Sequence, residues 1–352
     1  MSPLPWQDPL LHALVLAAAI AIDLLLGEPP ARLHPVVWMG TLIQRGRDMA
    51  PSGRAGRLLW GLFLALVLPT GCALLAAGLV MIPWVGPLLA VWLLTSSLSI
   101  RMLGEAGVRV GDAVAEGRIE DAREGLSWLC SRSPAGLTGA ELAGAATESV
   151  AENASDSAVA PLLWFLIGGV PGAVLYRCMN TMDAMIGYRD RYFWLGKPAA
   201  RLDDLLNLIP ARLTAVLMVL LADRDRGRGM RCMLRDAAKT DSPNAGWPMS
   251  AMAGLLGVQL TKRGQYTLGD DIRPICGEDV RRCWRISRRA MVASAVLVGG
   301  ALVGQGLVGQ GLSRQGDHLD EGVAVLVTDG AVVEEAQDDR SGVARLEHHP
   351  VR

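Results

Sequence analysis

Residues 58–100 read LLWGLFLALVLPTGCALLAAGLVMIPWVGPLLAVWLLTSSLSI, a stretch without one charged side chain. Its two apolar segments, 58–82 and 84–100, each have about the length that an α-helix needs to cross roughly 30 Å of hydrocarbon. The sequence between them, Ile-Pro-Trp-Val-Gly-Pro at 82–87, breaks a helix and favours a short turn. The stretch therefore predicts a membrane-spanning helical hairpin.

Four further apolar segments lie on both sides of this hairpin, at 10–27, 159–176, 205–222 and 290–309. Hydrophobic residues make up 51% of the chain, and its mean hydropathy of +0.30 is higher than a soluble domain of this size usually shows. Because lipid cannot satisfy open backbone groups, such segments must be helical. We therefore predict an all-α, polytopic membrane protein with about five or six spans or re-entrant helices.

Two of these segments are poor candidates for simple spans. Segment 159–176 contains the sequence Gly-Gly-Val-Pro-Gly at 168–172, and segment 205–222 contains Pro210 and Arg212. Irregular backbone and charge are tolerated at membrane depth only where they line a protein cavity. We expect both segments to be broken or re-entrant helices beside a cavity.

The distribution of Lys and Arg predicts the orientation. Residues 28–57 carry five arginines and residues 223–289 carry fourteen Lys or Arg, whereas the tail 310–352 carries four Arg and nine acids. The positive-inside rule then places the two basic regions in the cytoplasm and both termini in the periplasm, as in a multi-pass protein of the cell inner membrane. The net charge of −1 gives no reason to expect nucleic acid as a partner.

The same patterns predict one integral membrane domain over 1–309. It would contain a polar helical insert at 101–158 and a polar loop at 223–289. Beyond it we expect a polar, acidic and poorly ordered tail at 310–352.

An acidic stripe precedes segment 159–176. Glu141, Glu148, Glu152 and Asp156 are spaced by seven, four and four residues, which places them on one face of a helix. Like charges stacked in this way repel each other, so the stripe is a candidate site for Mg²⁺, which prefers oxygen ligands. The alternative is a solvated helix face before a span.

A second polar cluster lies between residues 176 and 212. Asn180 and Asp183 are one turn apart if this region is helical, and Asp203 shares a helical face with Asn207. Arg212 follows inside an apolar run, where an unpaired guanidinium is costly, so we expect it to have a carboxylate or phosphate partner. A structural ion pair with a nearby aspartate is the alternative.

The third cluster is the Asp-Ser-Pro-Asn sequence at 241–244, which favours a turn and presents polar groups at the start of a helix. A simple loop is the alternative.

The chain has no P-loop, no dinucleotide-binding glycine motif and no H-E-x-x-H sequence. An enzyme of this kind that uses ATP would have to hold phosphates with carboxylates, Mg²⁺ and arginines.

Taken together, these clusters resemble the CobD/CbiB family. Three stretches carry the resemblance in the family's order: DLLLGEPPARLHPVVWMG (23–40), ESVAENASDSAVAPLLWFLIGGVPGAVLYRCMNTMDAMIGYRDRYFWLGKPAARLDDLLNLIPARLTA (148–215) and DSPNAGWPMSAMAGLLG (241–257). The resemblance implies a role in cobalamin biosynthesis. It implies ATP-dependent amide ligation of (R)-1-amino-2-propanol, or its O-phosphate, to adenosylcobyric acid, with Mg²⁺ and ATP required. The product would be adenosylcobinamide or its phosphate.

Site roles follow from this reaction as hypotheses. We expect Glu148, Glu152 and Asp156 to hold Mg²⁺ and nucleotide phosphate, with Glu152 essential for catalysis, and Asp183 or Asp203 to deprotonate the amine. The predicted substrate- and phosphate-binding side chains are Asn153, Arg177, Asn180, Arg189, Arg201, Arg212, Asp241 and Asn244.

Three other functions fit parts of the pattern. A non-catalytic regulator of the AmpE type resembles this family in organisation, although a sensor has no need of the polar clusters. A membrane prenyltransferase would place carboxylates and Mg²⁺ at a cavity rim, but the usual D-D-x-x-D spacing is missing. A transporter would suit the broken helices. A complex with other late cobalamin enzymes is compatible with the predicted activity, although no residue pattern shows one.

Overall fold

The computed structural model describes residues 8–130, 133–187 and 192–308. Arg189 and the tail at 310–352 lie outside these ranges, so the predictions made for them stay predictions. The described chain through residue 302 belongs to one compact unit. Its helices, in order, are α1 Pro9–Leu25, α2 Pro35–Asp48, α3 Arg54–Val80, α4 Gly86–Ser97, α5 Ile100–Ala115, α6 Ile119–Leu129, α7 Gly139–Ala154, α8 Ala160–Ile186, α9 Phe193–Leu206, α10 Leu208–Leu221, α11 Arg226–Asp236, α12 Gly246–Leu256 and α13 Gly277–Val308.

Short elements complete the described chain. A π-helical turn, Ser155–Val159, joins α7 to α8, and 3-10 turns lie at Ala31–Leu33 and Ala237–Lys239. The strands β1 Leu260–Lys262 and β2 Tyr266–Leu268 form one antiparallel hairpin.

The membrane class of the fold is confirmed. Four helical stretches are long and apolar enough to span a bilayer: Arg54–Val80, Gly86–Ala115, Gly139–Ile186 and Gly277–Val308. A fifth span is formed if the bent pair α9 and α10 counts as one, while α1 is a shorter apolar helix. In the most apolar 18-residue stretch of α3, and likewise in that of α13, only 28% is buried within the protein. These two spans therefore expose more side chains to lipid than the other two long stretches do.

The hairpin predicted from residues 58–100 is present. α3 ends at Val80, and α4 begins at Gly86 after a turn in which Trp84 has a left-handed φ of 66°. The Gly86 amide donates to the Ile82 carbonyl at 2.8 Å, which closes the turn. α4 then packs on α1, α3 and α8.

Both segments predicted to be broken helices are broken. Helix α8 has non-helical dihedrals at Gly168 and Gly169, and the φ of +62° at Gly169 is one that glycine adopts without strain. Helices α9 and α10 meet at Asn207 with a bend of 49°. These breaks allow polar groups inside the helical bundle to face a cavity rather than lipid.

The motif at 23–40 connects three helices through buried carboxylates. The Asp23 carboxylate accepts hydrogen bonds at 3.2 Å from the backbone amides of Ile100 and Arg101, which caps the start of α5. Glu28 accepts a hydrogen bond from the Ser99 hydroxyl and lies 3.1 Å from His34 Nε2. The other ring nitrogen, His34 Nδ1, accepts from the Val36 amide at the start of α2. Both His34 nitrogens are therefore engaged in structural contacts.

Glu28 lies in the loop after α1 and gives the fold a pH-dependent contribution to stability. Burial raises the pKa of Glu28, but hydrogen bonds from His34 and Ser99 outweigh burial and bring the pKa below its usual 4.5. A lowered pKa in the folded state stabilises the protein above pH 4.5, and this contribution is lost as the pH falls through the folded value. Glu28 also interacts electrostatically with Asp23, which has the same charge, and with Arg177, which has the opposite charge.

We expect Glu28→Gln to lower the free energy of unfolding by about 1–3 kcal/mol at pH 7, because charge-assisted hydrogen bonds are lost. Thermal unfolding of the purified protein in detergent between pH 7 and pH 4 measures this change. The wild type should lose stability as the pH falls below 4.5, and Glu28→Gln should lose less. Asp48→Asn, which alters an exposed carboxylate on α2, should lose as much as the wild type. Identical pH profiles for the wild type and Glu28→Gln would refute this role of Glu28.

Candidate active site

A cavity of about 260 Å³ lies where the π-helical turn, α8, α9 and the start of α12 meet. Six acidic residues line it: Glu152, Asp156, Asp183, Asp203, Asp204 and Asp241. Among the described residues in this lining, none is a lysine or arginine. We call this space the acidic cavity. It combines parts of all three polar clusters found in the sequence.

Close approach of two helices brings Asp183 and Asp203 to one cavity. A Cβ atom added at Gly196 of α9 would lie 1.7 Å from the carbonyl oxygen of Ile186 at the end of α8. Since no side chain fits in that space, glycine lets α9 pack directly on the end of α8. A Cβ at Gly187 would likewise meet Asp183 Oδ1 at 2.0 Å, so this glycine leaves room for the Asp183 carboxylate.

The predicted acidic stripe is not one continuous helical face. Glu141 forms a capping box with Thr138 at the start of α7, and it pairs with Arg263. At the other end, the π-helical turn begins at Ser155 and interrupts the 3.6-residue period before Asp156. Glu152 and Asp156 therefore reach the acidic cavity, whereas Glu141 is a structural residue.

Asp156 is held in place by two side chains of α8. Asn180 Nδ2 donates to Asp156 Oδ2 at 3.1 Å, and the Tyr176 hydroxyl lies 3.1 Å from Asp156 Oδ1. The same hydroxyl lies 2.9 Å from Asn207 Oδ1. This network fixes the position of a carboxylate that faces the cavity. Asn180 was predicted to contact substrate, and in this structure it donates to the Asp156 carboxylate.

Asp203 has one satisfied and one unsatisfied oxygen. Asn207 Nδ2 donates to Asp203 Oδ2 at 3.0 Å, as their shared helical face predicts. Asp203 Oδ1 is buried and has no hydrogen-bond partner among the described residues. A buried carboxylate oxygen without a partner costs free energy unless a ligand or water supplies the contact.

The turn at 241–244 docks against the end of α9. The Ser242 hydroxyl donates to Asp204 Oδ1 at 3.2 Å, and Asn244 Nδ2 donates to the Asp204 carbonyl at 2.7 Å. Asp241 and Asn244 both line the acidic cavity, as their assignment as substrate-binding residues requires. This turn therefore forms one wall of the candidate site rather than a free loop.

A second cavity of about 580 Å³ adjoins the first, and we call it the hairpin cavity. It shares Glu152, Asp156 and Asp183 with the acidic cavity. Its other polar lining residues are Glu148, Ser149, Asn153, Lys262 and Tyr266. Lys262 and Tyr266 come from the β1–β2 hairpin, and the sequence patterns did not single out either one.

Three of the predicted arginine clamps are described, and they lie outside the lining of both cavities. Arg177 is buried, and its Nε donates to the Ser97 carbonyl at 2.8 Å. Arg201 is mostly exposed and lies 3.8 Å from Asp204. Arg212 stacks on Trp247 at 4.6 Å and donates to the Leu208 carbonyl and to Asn244 Oδ1.

These contacts correct the expectation that Arg212 requires a carboxylate or phosphate partner. A carbonyl, an amide oxygen and an aromatic face satisfy its guanidinium instead. Of the described arginines predicted to bind phosphate, none lines the acidic or the hairpin cavity.

The donor set of the acidic cavity fits a hydrated divalent cation. Within the described ranges, no three His, Cys, Asp or Glu side chains form a ready-made metal cage. Mg²⁺ does not need such a cage, because it usually keeps several waters and binds one or two carboxylates together with substrate phosphates. The concentration of carboxylates and the unpartnered Asp203 Oδ1 favour such a cation here. The predicted ligands Glu152 and Asp156 lie in this cavity, and Glu148 lines only its neighbour.

Comparison with known proteins gives matches along most of the chain. The family model described as CobD/Cbib protein matches residues 16–293. The "Probable cobalamin biosynthesis protein CobD" of Methanothermobacter thermautotrophicus is 41% identical over 291 residues, covering 81% of this chain and 96% of that protein. The "Cobalamin biosynthesis protein CobD" of Chromobacterium violaceum is 40% identical, covering 82% and 98%. That of Klebsiella pneumoniae is 35% identical, covering 79% and 94%. No solved structure matches.

Proposed function

Because the chain belongs to the CobD/CbiB family and acts in cobalamin biosynthesis, we propose that its acidic cavity catalyses an ATP-dependent amide ligation. The acid would be adenosylcobyric acid, and the amine would be (R)-1-amino-2-propanol or its O-phosphate. The enzyme would then be an adenosylcobinamide-phosphate synthase. The observation that carries the proposal is the convergence of acidic side chains from three sequence clusters on one cavity.

The reaction needs activation of a carboxylate. An oxygen of the corrinoid carboxylate would attack the γ-phosphorus of ATP, which gives an acyl phosphate and ADP. The amine nitrogen would then attack the acyl carbon, and inorganic phosphate would leave with the original carboxylate oxygen. Each step needs charge stabilisation and close alignment of the reactants rather than a protein nucleophile.

The residues that line the two cavities can perform the tasks that these steps require. Asp183 and Asp203 are the candidate bases for the ammonium, because both face the acidic cavity and a carboxylate can accept that proton. Asn244 lines the acidic cavity and Asn153 lines the hairpin cavity, where their amides can orient the corrinoid side chain that reacts. Glu152 lines both cavities and makes no hydrogen bond or ion pair with other described residues. Mg²⁺ held by Glu152 and Asp156 would neutralise charge on the phosphate oxygens.

The sizes of the cavities limit what they can enclose. Volumes of about 260 and 580 Å³ suit a small amine and a phosphate chain, whereas the corrin ring is too large for either cavity. We propose that the ring binds outside and that only its reacting side chain enters. We also propose that the protein resides in the cell inner membrane, with the basic regions 28–57 and 223–289 facing the cytoplasm, where ATP is found.

Product analysis tests this function. Membranes that contain the protein would receive adenosylcobyric acid, Mg-ATP and aminopropanol, with or without its phosphate group, and the products would be identified by mass. We expect adenosylcobinamide or its phosphate, and we expect none when ATP is omitted. Absence of product with folded, inserted protein would contradict the proposal and would favour the regulatory alternative.

A further inference from the structure

The β1–β2 hairpin directs two polar side chains toward the hairpin cavity. Leu260 pairs with Leu268 and Lys262 pairs with Tyr266, while the turn at 263–265 carries Gly264 with a φ of +72°. Side chains two residues apart in a strand share a face, and Leu260 and Leu268 are fully buried. Lys262 and Tyr266 therefore point to the protein side of the hairpin, where they line the cavity.

Lys262 faces a group of carboxylates without pairing with them. Glu148, Glu152, Asp156 and Asp183 line the same cavity. The Lys262 ammonium lies close enough to interact electrostatically with Glu152, but it forms no hydrogen bond or ion pair with any described residue. The side chain is half-buried. An unpaired ammonium in this position is available to a ligand.

The charges around the hairpin cavity indicate which kind of ligand the Lys262 ammonium would bind. A phosphate entering this space is repelled by the carboxylates, so cations must contact it on more than one side. Arg177 and Arg212 donate to backbone carbonyls, Arg201 is mostly exposed beside Asp204, and none of the three lines either cavity. Among the described residues that line the two cavities, Lys262 is the only Lys or Arg. It lines the hairpin cavity together with Glu152 and Asp156, which would hold Mg²⁺.

We infer that Lys262 binds a substrate phosphate in the hairpin cavity and acts there as a phosphate-specificity residue. The inference rests on the proposed function, and it assigns to the β1–β2 hairpin the phosphate contact that Arg177, Arg201 and Arg212 do not make. The phosphate belongs either to the amine donor or to ATP. Lysine suits both, because its ammonium binds phosphate as a point charge on a flexible stem.

Steady-state kinetics with three variants tests the inference. Lys262→Met removes the charge with little change in shape, Lys262→Arg keeps the charge, and Arg263→Met removes the exposed turn cation next to it. We expect Lys262→Met to raise the KM of the phosphate-bearing substrate about 10- to 100-fold. Lys262→Arg should recover most of this loss, and Arg263→Met should behave as the wild type. The substrate whose KM rises, aminopropanol phosphate or ATP, identifies the phosphate.

Binding measured without turnover separates this inference from the proposed function. Calorimetry of the purified protein with aminopropanol phosphate and with the non-hydrolysable ATP analogue AMP-PNP, each in the presence of Mg²⁺, should show weaker binding of one of them to Lys262→Met. Lys262-dependent binding without amide product would support the phosphate site and contradict the ligase. Unchanged KM values and unchanged binding in a folded Lys262→Met variant, verified by its melting temperature, would overturn the inference.

Discussion

Replacing Glu152 with Gln is expected to lower kcat for amide formation by about 10²- to 10⁴-fold. Glu152 lies at the junction of the acidic and hairpin cavities, so its charge acts on ligands in both. Gln keeps the shape of the side chain and removes the negative charge. The rate of adenosylcobinamide formation in membranes with matched protein content measures the effect.

Two further variants show whether the loss of kcat in Glu152→Gln arises at the active site. Glu120→Gln removes a carboxylate with an exposed side chain, 84% accessible, on α6 and should retain wild-type kcat. If Glu152 helps to hold Mg²⁺, Glu152→Asp should need a higher Mg²⁺ concentration for half-maximal rate. Wild-type turnover by Glu152→Gln would contradict the assignment of Glu152 to catalysis.

The second large effect is expected from Gly61→Val, which should lower the free energy of unfolding by about 3 kcal/mol or more. A Cβ at Gly61 of α3 would lie 2.0 Å from the backbone carbonyl oxygen of Leu195 in α9. Because a backbone atom cannot rotate away, α3 and α9 must separate. α9 also carries Asp203, so amide formation should fall together with stability.

Gly78→Val provides a matched control in the same helix. Nothing lies within 4 Å of a Cβ built at Gly78, and the residue is exposed on α3. Thermal unfolding in detergent should show a melting temperature lower by roughly 6–12 °C for Gly61→Val and nearly unchanged for Gly78→Val. Equal melting temperatures in the two variants would mean that α3 and α9 do not pack closely at Gly61.

The sequence predicts the membrane-spanning segments most reliably, because lipid permits only helical backbone there. The uncharged stretch 58–100 allows only helices in lipid, and the Pro and Gly residues between its two segments mark the turn that the structure contains. The break in α8 lies at the predicted Gly168 and Gly169, whereas the break predicted from Pro210 and Arg212 lies a few residues earlier, at Asn207. The patterns alone placed Glu152, Asp156, Asp183 and Asp203 in two separate clusters, and only the family resemblance assigned them to one reaction.

Other features depend on contacts between residues distant in sequence. The π-helical turn at Ser155–Val159 shifts Asp156, and no periodicity argument that assumes 3.6 residues per turn reveals it. Arg177 is directed to the Ser97 carbonyl, far away in the chain, so its sequence neighbours did not indicate its partner. Lys262 lies in a short hairpin within a generally basic region, where one lysine gives no signal of its own. Only its spacing of two residues from the apolar Leu260 indicates the face to which its side chain belongs.

The fate of one oxygen atom tests the central claim most directly. Adenosylcobyric acid labelled with ¹⁸O in its reacting carboxylate would be incubated with the purified protein, Mg-ATP and the amine, and the released phosphate would be analysed by mass. Activation through an acyl phosphate predicts one ¹⁸O atom in inorganic phosphate for each amide formed, and a rate of transfer that falls in Glu152→Gln together with amide formation. Amide formation with unlabelled phosphate, or with the label in AMP, would contradict the mechanism proposed for the acidic cavity.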